Sequence, residues 1–136
     1  MNAKKDKSKL QAQSVTAYFG TTVAGTDDDI AVFCAPYDCE IISAHVINGA
    51  DLAASGTVYL TLTLTDKGSD GTGTDAIAAI TTETVGFDEF EARSMGAIDS
   101  AHGLLSEGDV VSLAKTHLST GSATDVLQCA IKFRRR

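Results

Sequence analysis

The run Thr57-Val58-Tyr59-Leu60-Thr61-Leu62-Thr63-Leu64-Thr65 constrains this chain more than any other stretch of it. Val58, Leu60, Leu62 and Leu64 fall on one side of an extended backbone, and Tyr59 and the threonines fall on the other. A period of two means a strand with one face in a core and one toward water. Threonine, branched at Cβ, suits the outer face of such a strand.

Seven further segments share the pattern. Strands are predicted over Ser14–Gly20, Asp29–Ala35, Glu40–Asn48, Ala76–Thr84, Asp109–Leu118 and Asp125–Phe133, and Phe87–Met95 fits a strand or a short helix, with a strand preferred. The last alternates through Leu127, Cys129, Ile131 and Phe133. Clusters of turn-forming residues separate them, at 24–28, 35–38, 48–56, 66–74 and 119–124, and an irregular loop is expected after Met95. With one proline in 136 residues, eight closely spaced strands predict an all-β sandwich or barrel. Eight strands favour a jelly roll, which closes its edges with two Greek keys. The length suits one domain with its own core. Residues 14–136 are expected to form it, with 1–13 a basic, flexible arm.

Charge is distributed unevenly. Of 11 Lys and Arg, Lys4, Lys5, Lys7 and Lys9 lie near the start and Lys132, Arg134, Arg135 and Arg136 at the end. Between them stand only Lys67, Arg93 and Lys115, among nearly all of the 18 acids. The overall charge of −7 is thus the sum of an acidic body and basic ends. Such a body would repel a polyanion that wrapped it, and it offers no basic patch with aromatics, so nucleic acid is not an expected partner. An acidic protein surface fits better, since arginine forks match carboxylates. No apolar stretch is long enough to predict a membrane span, and no secretory leader is expected. The three cysteines, an odd number, are expected to be reduced.

Catalytic patterns are sparse. Ser112-Leu113-Ala114-Lys115 matches Ser-x-x-Lys, but it falls in a predicted strand, where residues three apart face opposite sides. His45, His102 and His117 are scattered. Cys34, Cys39 and Cys129 with His45 make a weak zinc pattern. In the loop Asp66–Asp75, Asp66, Asp70 and Gly71 occupy calcium-loop positions, while Gly68 and Ile77 stand where oxygen ligands are needed. A hairpin loop with aspartate-capped turns accounts for the same residues. No enzymatic activity, metal or cofactor is expected.

Four segments taken together resemble one family. Ala35-Pro36-Tyr37-Asp38-Cys39-Glu40-Ile41 is similar to the aromatic–Asp–Cys turn after the second strand of small tailed-bacteriophage capsid decoration (cement) proteins. Residues 62–74 resemble their Asn/Asp-Lys-Gly-x-Asp-Gly-x-Gly loop. Leu105-Ser106-Glu107-Gly108-Asp109-Val110-Val111 resembles their Gly-Asp lead into the penultimate strand, and Thr116-His117-x-x-x-Gly121 follows it. The resemblance spans residues 15–134. It implies a virion protein, made in the bacterial cytoplasm, that binds the outside of the head as a homodimer or homotrimer. There it would hold neighbouring major capsid protein subunits together. The family supplies no catalytic residues. The charge argument adds the capsid-binding candidates Lys4, Lys5, Lys7, Lys9, Lys132, Arg134, Arg135 and Arg136.

Two other classes compete. A carbohydrate-binding module on a head fibre or receptor-binding tip would need exposed aromatic platforms, and the chain has no Trp, three Tyr and five Phe. A cupin-like enzyme would need clustered His and Glu on facing strands, and no His-x-His pair is present.

Overall fold

A computed structural model describes residues 11–136. It is all-β: two antiparallel sheets pack face to face, and no helix forms among the described residues. The strands in chain order are β1 (Ala12–Thr22), β2 (Asp28–Cys34), β3 (Cys39–Ile47), β4 (Leu60–Gly68) and β5 (Asp75–Thr81). They continue with β6 (Ala92–Ser94), β7 (Leu104–Leu105), β8 (Val110–His117) and β9 (Thr124–Arg135). One sheet runs β1-β9-β3-β6, with β7 on the other end of β3; the second runs β2-β8-β4-β5. Neighbours in a sheet are mostly distant in sequence, so the connections cross from one sheet to the other.

The alternating run makes β4, flanked by β8 and β5. Leu60, Leu62 and Leu64 are fully buried, and Val111 and Leu113 of β8 lie beside them. Ile41, Ala44 and Val46 of β3 and Leu127, Cys129, Ile131 and Phe133 of β9 close the core from the other sheet. Phe33 and Phe133 meet across it with ring centroids 4.8 Å apart. Each fully buried aliphatic side chain contributes roughly 1.5–3 kcal/mol, so these two facing rows drive the fold. Burial pushes the Cys129 thiol up to about 12, and Cys39 is raised for the same reason. All three cysteines are free.

Three expectations are corrected. The strand expected over Phe87–Met95 shortens to Ala92–Ser94, and nine strands form among the described residues where about eight are expected. Phe87 instead makes a single bridge to Leu52, and Phe90 takes a left-handed backbone (φ 61°) that breaks the extended run. The additional strand, β7 (Leu104–Leu105), lies in the expected loop: buried Leu105 draws the pair against Cys39 and Glu40. At the other boundary β1 begins at Ala12, so residues 12 and 13 of the expected arm belong to the sheet. Residues 1–10, with Lys4, Lys5, Lys7 and Lys9, lie outside the described residues.

β1 bends where it pairs with β9. Its register is regular from Ala12↔Arg134 to Tyr18↔Gln128, then shifts at Gly20 and again at Thr22. Gly20 has φ 112°, a conformation L side chains rarely adopt, so this position calls for glycine.

Candidate functional site

Three of the four family-like segments, far apart in sequence, meet at one end of the sandwich. The link begins with backbone geometry. Ala35 N–H donates to the Asp109 carbonyl, and Gly108 N–H donates back to the Ala35 carbonyl, each at 2.9 Å. Asp38 Oδ1 accepts the Glu107 N–H at 2.9 Å, and Asp109 Oδ2 accepts that of Ser106 at 2.9 Å. The aspartates of both motifs therefore cap turns and join two loops 69 residues apart. The loop after β4 joins them through β8, since Gly68 pairs with Val110 and Asp66 with Val111.

Within that loop the carboxylates face the backbone. Gly68 N–H donates to Asp66 Oδ1 at 2.8 Å; Thr72 donates both its N–H and its hydroxyl to Asp70 Oδ1. Those bonds from Thr72 hold Asp70 below the usual carboxylate range. Burial raises Asp66 instead, with the charges of Asp109 and Asp75 adding to the effect. Nearby, Asp99 Oδ1 caps a turn by accepting the N–H groups of Ala101 and His102, and this lowers its pKa. The His102 ring stands 3.5 Å from Asp99 and 3.9 Å from Asp75. Among the described residues, no three His, Cys, Asp or Glu side chains are arranged to hold a metal ion.

The C-terminal cations reach the same end, but as part of the sheet and not as an extension. β9 continues to Arg135, paired with Cys39 on β3. Arg134 Nε donates to Glu40 Oε1 at 2.5 Å. The Arg135 guanidinium stacks 3.9 Å above the Tyr37 ring, a cation–π contact, and the Tyr37 hydroxyl donates to Gln13 Oε1 at 2.6 Å. Arg136 bonds the Leu105 carbonyl through Nη2 at 3.0 Å and the Cys39 carbonyl through Nε at 3.2 Å. Lys132, exposed on β9, has no ion pair among the described residues.

Beside Arg134 the surface opens into a shallow cleft of about 290 Å³. Glu40 and Arg134 line it together with the aliphatic side chains of Ile42, Leu104 and Ile98. Ile42 and Leu104 are 37% and 43% exposed, so the Glu40–Arg134 pair, with Glu40 between Arg134 and Leu104 in the sheet, lies beside two aliphatic groups open to a partner. Arginine flanked by apolar surface is common where proteins bind each other.

The fourth segment lies at the opposite end. His117 Nδ1 is 2.6 Å from Asp27 Oδ1. Gly121 (φ 65°) packs so closely that a Cβ there would stand 2.5 Å from that of His117. His45 faces outward from the other sheet, so His45 and His117 do not meet. Ser112 and Lys115 do face opposite sides of β8, as their spacing predicts, yet both are buried. Lys115 is fully buried, at the level of Leu62 in the core. Its ammonium donates to Thr22 Oγ1 at 2.8 Å and to the Val23 carbonyl at 3.1 Å. Desolvation lowers its pKa, against the opposing pull of Asp27 and Asp28.

The Lys115 environment was not anticipated from sequence, although the signal existed. Val111, Leu113 and Lys115 share one parity, so a buried Leu113 places Lys115 in the core as well. No protein-family model matches the chain, and no curated protein matches it.

Proposed function

We propose that this protein is a capsid decoration protein that binds the outer surface of a phage head and staples neighbouring major capsid protein subunits. The observation that carries the reading is the convergence of the Tyr37-Asp38-Cys39 turn, the Asp66–Asp75 loop and the Gly108-Asp109 lead-in on one end. Cross-loop hydrogen bonds fix that end, and Arg134, paired with Glu40, lines a cleft there together with Ile42 and Leu104. Residues that resemble a family's only by pattern thus share a surface, as residues with a common role would. The strand order supports assigning a jelly roll, because strands adjacent in each sheet are joined by long connections through the other sheet.

Attachment follows from charge and shape. A rigid loop end docks with little loss of conformational freedom. The basic run Lys4, Lys5, Lys7 and Lys9 precedes β1; the eleven residues before Ala12 would span about 36 Å at most if extended, enough to cross a subunit boundary. Lys132 adds an exposed cation. Arg134, Arg135 and Arg136 are held by their own chain, so they act as preorganised contacts and not as a free arm. Repeated over a shell, many such weak contacts become strong. The protein works there as a homodimer or homotrimer on the virion exterior.

Heads purified without this protein, mixed with it and sedimented, provide the test. Saturable co-sedimentation at a fixed ratio to the major capsid protein is expected. Deleting residues 2–10 should weaken it several-fold, and Arg134→Ala with Ile42→Ser should weaken it further. Absence of the wild-type protein from the pelleted heads would remove the decoration reading.

A further inference from the structure

Each sheet of a sandwich ends in edge strands whose outward N–H and C=O groups invite another strand, and proteins normally blunt them. Three of the four edges here are blunted. β6 is three residues long, β2 opens with Asp28 and Asp29, and β5 opens with Asp75. β1 is different: eleven residues, Ala-Gln-Ser-Val-Thr-Ala-Tyr-Phe-Gly-Thr-Thr, without one charge or proline. From Ala12 to Tyr18 it is regular, with the bulge only beyond. Val15 and Ala17 face the core but remain half-buried, whereas Phe19, further along the strand, is buried. Among the described residues, nothing pairs with the outer edge of Ala12–Tyr18.

We infer that this edge binds a second copy of the same chain, β1 against β1 antiparallel about a two-fold axis near Val15. An isologous pair of this kind closes on itself and makes a dimer. Charge selects the second copy and its direction. In the antiparallel pair, the residues preceding Ala12 in one subunit run alongside the far end of the partner's β1. That end carries Asp27, Asp28 and Asp29 ahead of and within β2, and Asp125 opposite Thr21. Lys4, Lys5, Lys7 and Lys9 of one chain are thereby directed toward acids of the other. A parallel arrangement would direct them toward Arg134, Arg135 and Arg136. Pairing also places Tyr18, 61% exposed, beside the partner's Ala12 and covers the open sides of Val15 and Ala17. The inference does not rest on the decoration reading.

Light scattering on the full chain tests it. The wild type is expected at twice the 14.1 kDa of one chain. With the axis at Val15, Ser14 of one copy faces Thr16 of the other, and both are exposed. The double variant Ser14→Lys with Thr16→Lys sets like charges opposite each other across the pair and should halve the mass. Ser14→Glu with Thr16→Lys sets opposite charges there and should keep the dimer. In the wild type, amide exchange over Ala12–Tyr18 should slow as concentration rises. A wild type that stays monomeric, a double-lysine variant that stays dimeric, or exchange independent of concentration would overturn the inference. So would a trimer, which a two-fold strand pair cannot build; that result would leave the decoration reading standing.

Discussion

At the end of the sandwich where β2 turns into β3, carboxylates at the surface accept backbone N–H groups. At the opposite end an ammonium is enclosed, bonded to a hydroxyl and a carbonyl, with no carboxylate of the described residues in salt-bridge contact. Asp38, Asp66, Asp70, Asp99 and Asp109 each close a turn or join two loops while remaining near water. Lys115 has lost its water entirely and retains two acceptors. The difference concerns what each charge costs. An exposed carboxylate keeps most of its hydration and adds a hydrogen bond, so each contributes little and many can be used. A buried ammonium gives up hydration that its partners only partly replace, so the site must be shaped around it. The loop end is a surface made rigid by many small contributions; the other end depends on one residue.

The largest expected effect breaks that second end. Lys115→Ala removes a fully buried side chain at the level of Leu62 and strands the Val23 carbonyl, and should cost about 2–5 kcal/mol in chemical denaturation. Lys115→Met restores most of the volume without a buried charge and should recover all but about 1.5 kcal/mol. Equal losses in both variants would mean that the hydrogen bonds, and not the filled space, matter most.

The same pair tests the charge. Desolvation sets the Lys115 pKa below its ordinary 10.5, so the folded state loses this proton before the unfolded state does. Between the two pKa values the unfolded chain binds more protons, and stability rises with pH. Relative to Lys115→Met, the wild type should therefore gain stability as pH climbs toward 10.5. Parallel pH profiles for the two proteins would contradict the desolvation of Lys115, since its pKa would then be the same folded and unfolded.

A smaller effect is expected at the loop end. Asp38→Ala leaves the Glu107 N–H without its acceptor and should cost about 1 kcal/mol, whereas Asp38→Asn, which keeps an acceptor oxygen, should cost less. Proteolysis should also reach the 105–109 loop faster in the alanine variant.

A still smaller effect is expected at Asp66, within the carboxylate end. Asp66 is raised by burial, with Asp75 and Asp109 nearby, so its charge is a burden above its folded pKa and none below 3.8. Asp66→Asn keeps an acceptor for Gly68 N–H and should stabilise at neutral pH by about 0.5 kcal/mol or less, the range of most surface changes. The gain should vanish in acid, where the wild-type carboxyl is neutral too. A gain that persists there would have to come from something other than charge.

Much of this was legible one strand at a time. The β4 run, the alternation of Leu127 to Phe133 and the turn clusters predicted the strands that now form both core rows. Segments 87–95 and 104–105 were not legible. Phe90 leaves the extended region, and Leu104–Leu105 is a strand only because Cys39 and Glu40 lie alongside. Two residues carry no periodicity of their own. The basic ends were visible as composition, but composition treats Arg136 and Lys4 alike; that Arg134, Arg135 and Arg136 lie in or against the sheet follows from pairing with β3.

The all-β class, the inward faces of the long strands and the turns follow from the residue order, because side-chain alternation and turn chemistry are local properties of a chain. Folding in three dimensions sets which loops share an end, which edge of the sandwich stays open among the described residues, and that Lys115 sits in the core while three arginines are engaged by their own subunit. Those outcomes depend on which strands become neighbours across roughly a hundred residues of sequence, as Thr22 and Thr124 do. No local window contains that information.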